Sequence, residues 1–349
     1  MTSRGERLEP VSRHGRAVLS HPLHDSPWIV ALAATLREPA SGLEDRVETL
    51  ARAVPMVAAR LAGREWQHGT APRVLRTGGD GVAVSIAEPF DLMKEAPLRV
   101  IVDTAGHRLV LAGHHAAFDG LALLHVLRAL VGGPLPERAS EPPAARSGGS
   151  SGLLGRFLRP ADPVAPARRD VQAEACLART LRVEGPDISA RIAAAASAAL
   201  GAHNTRHGAR WRRVGVSIGI SGPDGVGNVA TYRRIDASPD SDIRAVVNSA
   251  IATDAEPIEL RRSPRLAVLA RPALSRFGDS FLVSNLGRHD LGPVESLEFY
   301  PVARGRSGVA FGAVGLRGGP SVLTLRTLRV HQEDAERILD ETVKRLDSA

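Results

Sequence analysis

The sequence feature that most constrains the fold is an apolar segment that ends in two adjacent histidines. Residues Leu109–Ala112 are branched or small apolar residues, which predicts a buried strand. Residues Leu121–Leu130 carry apolar side chains at helical spacing, which predicts a helix. The segment between them, 113–120, contains His114, His115, Asp119 and Gly120. These four residues therefore lie where a strand turns into a helix, a setting in which functional residues are often found.

Neighbouring side chains on a strand point to opposite faces, so His114 and His115 are expected to have different roles. One imidazole can be held by packing, while the other faces a channel and takes a proton from a hydroxyl or an amine. Asp119 can fix the loop by pairing with an arginine, and Gly120 permits a backbone conformation that a side chain would obstruct. Two alternatives stay open, a hydrogen-bonded histidine pair without chemistry and a zinc site. Because adjacent strand histidines diverge and Cys176 is the single cysteine, we assign no metal ligands.

Residues His114 to Gly120 resemble the HHxxxDG motif of the condensation-domain and acyltransferase superfamily, whose fold is that of chloramphenicol acetyltransferase. The segments Phe90–Leu92 and Pro97–Val100 resemble the family's lead-in to this motif, and Gly227–Asn228 and Ser284–Gly287 resemble segments of its second half. The resemblance covers most of the chain. It implies an α/β (α+β) fold in which two chloramphenicol acetyltransferase-like lobes form a V-shaped pseudo-dimer with a channel between them.

The resemblance also implies an acyltransferase mechanism. His115 would deprotonate an amine or hydroxyl acceptor, which then attacks an acyl thioester on a pantetheine arm. The donor would be acyl-coenzyme A or a phosphopantetheinyl carrier protein, and no tightly bound cofactor is expected. His114 and Asp119 would hold the loop. The expected setting is bacterial natural-product biosynthesis, including nonribosomal peptides, or lipid biosynthesis.

Three polar residues of the second half are candidates for substrate binding. Ser284 and Asn285 follow an apolar strand, so their hydroxyl and amide groups can face a cleft and stabilise the negative charge that develops in acyl transfer. Asn228 follows Gly227 in a segment rich in turn residues. Serine and asparagine also stabilise ordinary turns, which is the alternative for all three positions.

The arginine expected to pair with Asp119 is less well defined. In the family this arginine belongs to the segment before the first sheet, which corresponds here to a helix predicted over Gly42–Leu61, with a kink or break at Pro55. Ala58 occupies the first arginine position of the family pattern, which leaves Arg60 as the expected partner. The alternative for Arg60 is an ordinary solvent-exposed position on that helix.

Composition divides the chain into three parts. Residues 1–133 are predicted to form the N-terminal lobe that carries the motif, and residues 169–349 the C-terminal lobe, in which Ser263–Leu274 reads as a helix. Residues 134–168 are rich in Pro, Gly, Ser, Ala and Arg, which predicts a flexible linker between the lobes.

The bulk properties narrow the class of protein. The 349 residues contain 45 Lys and Arg against 38 Asp and Glu, for a formal charge of +7, and carry no nucleic-acid-binding motif. Acidic partners such as coenzyme A phosphates or an acidic carrier protein fit this charge. The single cysteine fits a reducing compartment, and neither a secretory signal nor a membrane span is apparent, so a cytoplasmic location is expected.

Other functions remain compatible with the sequence. One is a condensation-like domain that binds a carrier protein or a lipid without turnover. Another is cyclisation, epimerisation or dehydration of a tethered intermediate on the same scaffold. The sequence does not identify the acyl group or the acceptor, because the fold alone does not determine the substrate. Histidines outside the motif, including His203 and His207, are assigned no role.

Overall fold

The computed structural model describes residues 7–21, 28–139, 156, 158–166, 174–183, 185–220, 222, 224–252, 278–303 and 307–348. The helix predicted over Ser263–Leu274 and the central part of the predicted linker lie outside these residues. No helix in the described ranges has an apolar stretch long enough to cross a bilayer.

The N-terminal half alternates short strands and helices. Its strands are β1 (Arg7–Pro10), β2 (Ile29–Leu36), β3 (Ala59–Ala62), β4 (Glu65–His68), β5 (Val74–Thr77), β6 (Leu98–Asp103) and β7 (Arg108–His114). Its helices are α1 (Arg13–Leu19), α2 (Leu43–Ala53), α3 (Gly81–Ala87) and α4 (Gly120–Leu130), and a 3₁₀ turn covers Pro55–Ala58. Helix α2 is shorter than predicted because Pro55 has no N–H group to continue its hydrogen-bonding pattern.

The C-terminal half contains longer strands. They are β8 (Ala175–Leu181), β9 (Val214–Ile220), β10 (Thr231–Ala237), β11 (Phe281–His289), β12 (Val294–Tyr300), β13 (Val309–Leu316) and β14 (Ser321–Thr327). The helices are α5 (Ile188–Arg206), α6 (Ile243–Ala252) and α7 (Gln332–Asp347).

These strands form three sheets. A five-stranded sheet has the order β12-β2-β7-β6-β5, and a six-stranded sheet has the order β10-β9-β11-β13-β14-β8. A small three-stranded sheet, β1-β4-β3, completes the N-terminal half. The motif strand β7 is thus central in its sheet, antiparallel to both β2 and β6.

One strand crosses between the two halves. Strand β12 pairs with β2, and Arg108 on β7 donates to the Glu298 carboxylate on β12 at 2.7 Å. In the other direction, the buried Arg326 of β14 donates to the main-chain oxygen of Ile29 at 2.6 Å. Strand β12 therefore completes the five-stranded sheet of the N-terminal half, although it belongs to the predicted C-terminal lobe, residues 169–349.

Both large sheets are covered by helices. Alternate residues of β2 face two apolar clusters, one with α2 and α4 and the other with α3, which explains why the strand is apolar throughout. On the six-stranded sheet, the small side chains of α5 allow close packing against α7 and the strands beneath. The elements therefore form sheets with helical layers, as the α/β (α+β) prediction requires.

The two ends of the predicted linker are packed against the C-terminal half. The N–H group of Ala139 donates to Val226 at 3.1 Å, and the N–H group of Val226 donates to Glu137 at 2.8 Å. At the other end Val164 and Ala165 are buried, and Ala165 donates to the side chain of Asn204 at 2.8 Å. Residues 137–139 and 164–165 are therefore packed, because their backbone groups and apolar side chains find partners, while the flexibility of 134–168 as a whole stays a prediction.

Candidate active site

The motif forms a tight loop between β7 and α4. The N–H groups of Ala117 and Phe118 donate to the carbonyl of His114 at 2.9 and 3.1 Å, which turns the chain directly after the strand. Asp119 is the N-terminal cap of α4, and its Oδ1 accepts from Ala122 at 2.9 Å. The histidines and Asp119 are thus fixed by a rigid strand on one side and a buried helix on the other.

His115 is buried, with 3% of its surface exposed. Its Nδ1 lies 3.0 Å from the carbonyl oxygen of Phe118, and because a carbonyl only accepts, this contact assigns the proton to Nδ1. Nε2 then carries the lone pair and accepts from the hydroxyl of Tyr232 at 2.9 Å. The indole of Trp28 lies parallel to the imidazole, with ring centroids 6.3 Å apart. The imidazole is thus oriented with its basic nitrogen toward the C-terminal half.

His114 is in a different environment. Its Nδ1 accepts from the N–H group of Ala116 at 3.1 Å, and the ring of Phe90 packs edge-on against its imidazole. Burial, with a smaller contribution from the charge of Arg99, lowers the pKa of His114 to about 4. The neutral His114 imidazole thus accepts a hydrogen bond from the loop, whereas His115, one residue past the end of β7, contacts Phe118 and Tyr232.

Asp119 links the motif to the C-terminal half through hydrogen bonds. Its carboxylate is buried, and Oδ2 accepts from the N–H groups of Val229 and Ala230 at 3.0 and 2.9 Å. The N–H group of Asp119 itself donates to Gly227 at 3.1 Å. Burial raises the pKa of the Asp119 carboxyl, while the backbone N–H groups that surround it act in the opposite direction. We call residues 226–230, which these bonds hold in place, the clasp segment.

The predicted ion pair between Asp119 and Arg60 is not formed. Arg60 lies on β3, opposite Gln67 in the three-stranded sheet, and its side chain is exposed. The physical reason is that α2 ends at Ala53, so Arg60 follows the 3₁₀ turn instead of lying on a helix that faces the motif. Within the described ranges the Asp119 carboxylate is stabilised by backbone N–H groups and by no cation.

Gly120 is required by space and not, as predicted, by its backbone conformation. Its φ angle is not positive. A Cβ atom at this position would lie 2.7 Å from the side chain of Leu286 and 2.8 Å from the ring of Phe299. The start of α4 therefore packs directly on β11 and β12.

Asn228 forms a hydrogen bond with the main chain of the motif. It is buried within the clasp segment, and its side-chain nitrogen donates to the carbonyl oxygen of His115. Asn228 also lines the cavity of about 540 Å³ described below, so its predicted role in substrate binding stays a prediction beside this contact.

Ser284 and Asn285 lie inside β11 and not, as expected, in a loop after a strand. Both line the small cavity into which His115 and Tyr232 also project. The Asn285 amide is engaged at both ends, since Nδ2 is 3.3 Å from Ser189 Oγ and Oδ1 accepts from Gly287 at 2.9 Å. The Ser284 hydroxyl makes no hydrogen bond within the described ranges, so it is the available donor on this wall.

Two separate cavities border the motif. The one on the Nε2 side of His115 has a volume of about 30 Å³, which is enough for a water molecule but not for an acyl chain. The second has a volume of about 540 Å³ and lies between α1, the 3₁₀ turn, residues 136–139 and the clasp segment. Ala116 and Ala117 of the motif loop form part of its wall.

Trp28 and Tyr232, which no motif of the sequence singles out, both contact His115. Trp28 directly precedes β2, and its carbonyl accepts from the N–H group of His115 at 2.6 Å. Tyr232 lies on β10, which had not been predicted as a strand. The available signal was rarity, because the chain has only 3 tryptophans and 2 tyrosines.

No family model matches the sequence, and no curated protein is significantly similar to it. Solved structures do match. A variant of the starter condensation domain of rhizomide synthetase in complex with C8-CoA has a TM-score of 0.65 at 11% identity, with 98% of this chain and 94% of that chain covered. The first condensation domain of the calcium-dependent antibiotic synthetase, in complex with a substrate analogue, has a TM-score of 0.61 at 14% identity. That match covers 98% of this chain and 96% of that chain.

An epimerization domain from the third module of tyrocidine synthetase B also matches, with a TM-score of 0.56 at 10% identity and with 99% of this chain and 97% of that chain covered. All these likenesses extend over nearly the full length of both partners. They confirm the fold that the HHxxxDG resemblance predicted: the chain has the two-lobed, chloramphenicol acetyltransferase-like fold of condensation domains.

Proposed function

We propose that the protein is a condensation-type acyltransferase that moves an acyl group from a pantetheine thioester to an amine or hydroxyl acceptor. The observation that carries this proposal is the orientation of His115. Its Nδ1–H is used by the carbonyl of Phe118, and its Nε2 lone pair points into a cavity that Ser284 also lines. A buried, neutral imidazole with a fixed tautomer is suited to general-base catalysis.

In the proposed reaction, Nε2 of His115 takes the proton from the acceptor as its nitrogen or oxygen attacks the thioester carbonyl carbon. The carbon–sulfur bond then breaks, and the pantetheine thiolate leaves with the proton that His115 had taken. His115 returns to its neutral form, so no other reactant is needed. Asp119, His114 and Asn228 do not exchange protons with the substrate. They hold the loop and the clasp segment so that the imidazole stays aligned.

Ser284 is the proposed donor to the oxyanion. Negative charge develops on the former carbonyl oxygen during attack, and a fixed hydroxyl donor in a buried site stabilises that charge strongly. Ser284 fits because its hydroxyl lies on the wall shared with His115 and is not committed to another partner within the described ranges. Asn285 then positions β11, since both ends of its amide are already used.

The donor is proposed to be an acyl group on coenzyme A or on a carrier protein, in natural-product or lipid biosynthesis. C8-CoA is bound in the similar starter condensation domain of rhizomide synthetase. The cavity of about 540 Å³ beside the motif loop could hold one substrate arm, whereas the cavity of about 30 Å³ has to widen before the acceptor can reach Nε2.

A second candidate is a domain that binds an acyl carrier without turnover. The hydrogen bond from Tyr232 to Nε2 of His115 and the small size of this cavity favour it. A third candidate is epimerisation of a tethered intermediate, because an epimerization domain shares the fold. The same histidine would then move a proton on carbon, without acyl transfer.

The deciding experiment incubates the protein with a panel of acyl thioesters and acceptors and follows acylated product and free thiol by mass spectrometry. Each acyl group is offered on coenzyme A, on a carrier protein and on N-acetylcysteamine. We expect acyl transfer, with kcat reduced about 10²–10⁴-fold by His115→Ala and much less by His114→Gln. Full activity of a folded His115→Ala protein would contradict the assignment of the base. Thioester binding without turnover would favour the second candidate, and deuterium exchange at the α-carbon without transfer the third.

A further inference from the structure

A second cluster of chemically active side chains lies in the helical layer of the C-terminal half. His203 and His207 are one turn apart at the end of α5, so they share a face of that helix. Asp334 lies in the first turn of α7. Nδ1 of His203 is 4.0 Å from one Asp334 oxygen, and Nε2 of His207 is 3.2 Å from the other. One ligand atom from each residue lies within 4.8 Å of the other two.

His203 is held with one nitrogen directed into this cluster. The residue is 1% exposed, and its Nε2 lies 3.1 Å from the carbonyl oxygen of Ala165. Because that carbonyl only accepts, Nε2 carries the proton and Nδ1 a lone pair. No hydrogen-bond donor within the described ranges reaches this buried Nδ1.

An unpartnered lone pair that is buried beside a carboxylate is unfavourable unless a cation lies between the two groups. A neutral imidazole, a second imidazole and a carboxylate together form a donor set that suits Zn²⁺. Ligand atoms on a tetrahedral Zn²⁺ lie about 3.3 Å apart, as follows from metal–ligand distances of about 2.0–2.1 Å. The distances of 4.0 and 3.2 Å run to different oxygens of Asp334, and one ligand atom from each residue lies within 4.8 Å of the other two. Side-chain rotations that draw these atoms together by about 1 Å therefore give the tetrahedral spacing.

We propose that His203, His207 and Asp334 bind a Zn²⁺ ion, with water in the fourth position. The ion links the end of α5 to the start of α7 and so stabilises the helical layer over the six-stranded sheet. The Ala165 carbonyl fixes the tautomer of His203, as hydrogen-bond partners of metal-binding histidines commonly do.

Two features of the surroundings would affect binding of the ion: an open cavity through which it can enter, and an arginine that also binds Asp334. His207 has 38% of its side chain exposed and lines an open cavity of about 600 Å³, through which a hydrated ion can enter. Arg337 donates to Oδ1 of Asp334 at 3.0 Å. Because Arg337 and the ion share Asp334, Arg337→Gln should tighten zinc binding.

The test uses the full chain without a histidine tag, stripped with a chelator, and titrates it with ZnCl₂ in a calorimeter. Asp334→Asn and the half-exposed His207→Gln remove ligands. His125→Gln is the matched control, since His125 also faces an aspartate, Asp224, at 3.9 Å. Wild type and His125→Gln should bind one Zn²⁺ per chain with a Kd of about 10 µM or below. Each ligand variant should bind at least about tenfold more weakly.

Thermal unfolding gives a second readout. Zinc at about a hundredfold excess over its Kd should raise Tm of wild type and His125→Gln by about 5 °C, and should leave the ligand variants nearly unchanged. Co²⁺ should show the visible absorption of a four-coordinate site in wild type. This absorption should be lost in His207→Gln and in Asp334→Asn. The proposal is overturned if wild type binds no Zn²⁺ or if the ligand variants bind it equally well. The cluster would then be a histidine–aspartate pair without a metal.

Discussion

The hydroxyl group of Tyr232 lies 2.9 Å from Nε2 of His115, the nitrogen that is proposed to act as the base. Tyr232 belongs to β10, the edge strand of the six-stranded sheet, so a residue of the second half occupies the hydrogen-bonding position of an acceptor. An acceptor amine or hydroxyl has to replace this contact before it can transfer a proton. The two halves of the molecule thus meet at the reacting atom itself.

The first prediction concerns this contact. Tyr232→Phe keeps the ring and removes the competing hydroxyl, whose hydrogen bond is worth about 1 kcal/mol. We expect kcat/KM for the acceptor to rise by about fivefold, mainly through a lower KM, as measured in steady-state assays at saturating donor. Tyr300→Phe is the control, because it removes the other phenol, which donates to Glu298 and not to the motif. A loss of kcat in Tyr232→Phe alone would instead assign the hydroxyl a direct part in the chemistry.

The second prediction concerns the clasp segment. In Asp119→Asn, the oxygen can still cap α4 at Ala122, but the new NH₂ group faces the N–H donors of Val229 and Ala230. Donors would then face donors without an acceptor between them. This should lower the free energy of unfolding by about 2–4 kcal/mol. We therefore expect a clear fall in Tm together with reduced activity.

Asp80 provides the matched control for that substitution. It also caps a helix, accepting from Val82 at 2.9 Å, but it is exposed and holds no second segment. Asp80→Asn should change the stability by only a few tenths of a kcal/mol, since asparagine is a good cap. Equal and small effects of the two substitutions, measured by urea unfolding, would show that the clasp segment does not depend on the Asp119 carboxylate.

Local structure was largely predictable from the sequence. The strand and helix that flank the motif, the β6–β7 hairpin and the final helix follow from apolar periodicity and turn residues. Residues Val82–Ile86, which form most of α3, could not be assigned to a helix from the pattern alone. Their apolar positions fit both periods, and the Asp80 cap, with the packing of Val82 and Ile86 on the sheet, selects the helix.

Long-range relationships could not be predicted in the same way. The partner of Asp119 is a set of backbone N–H groups more than a hundred residues away, and a backbone donor leaves no mark on side-chain identity. The pairing of β12 with β2 and the approach of Tyr232 to His115 likewise depend on how the halves assemble. The His203–His207 spacing was readable as two histidines on one helical face, but Asp334 joins them only through packing of α7 on α5.

The third prediction follows from the low pKa of His114. This pKa is about 4 in the folded protein against 6.5 for an unperturbed histidine, so the unfolded chain binds more protons between these values. The stabilising contribution is therefore complete above about pH 6.5 and is lost as the pH falls toward about 4. We expect wild type to lose about 1–2 kcal/mol of unfolding free energy from this group between about pH 7 and about pH 5.

Urea unfolding at both pH values tests this contribution. His114→Gln should show a smaller loss than wild type, by about that amount. A pH dependence that is identical in wild type and His114→Gln would mean that the imidazole becomes protonated without strain in the folded state.

The last prediction concerns the contact between the motif and the crossing strand. In Gly120→Ala, the added methyl group would lie 2.7 Å from Leu286 and 2.8 Å from Phe299, well inside van der Waals contact. Relief requires the side chains of Leu286 and Phe299, or α4 itself, to shift, which loosens the contact of the two halves at the motif. Overpacking of this kind costs about 1–3 kcal/mol, and we expect a matching fall in stability together with a lower kcat. Gly78→Ala is the control, because a Cβ atom there meets nothing within 4 Å. Leu286→Ala should partly restore Gly120→Ala by making room for the methyl group. If the stability loss of the double variant equals the sum of the two single losses, the two substitutions do not interact. The glycine would then be required for a reason other than this contact.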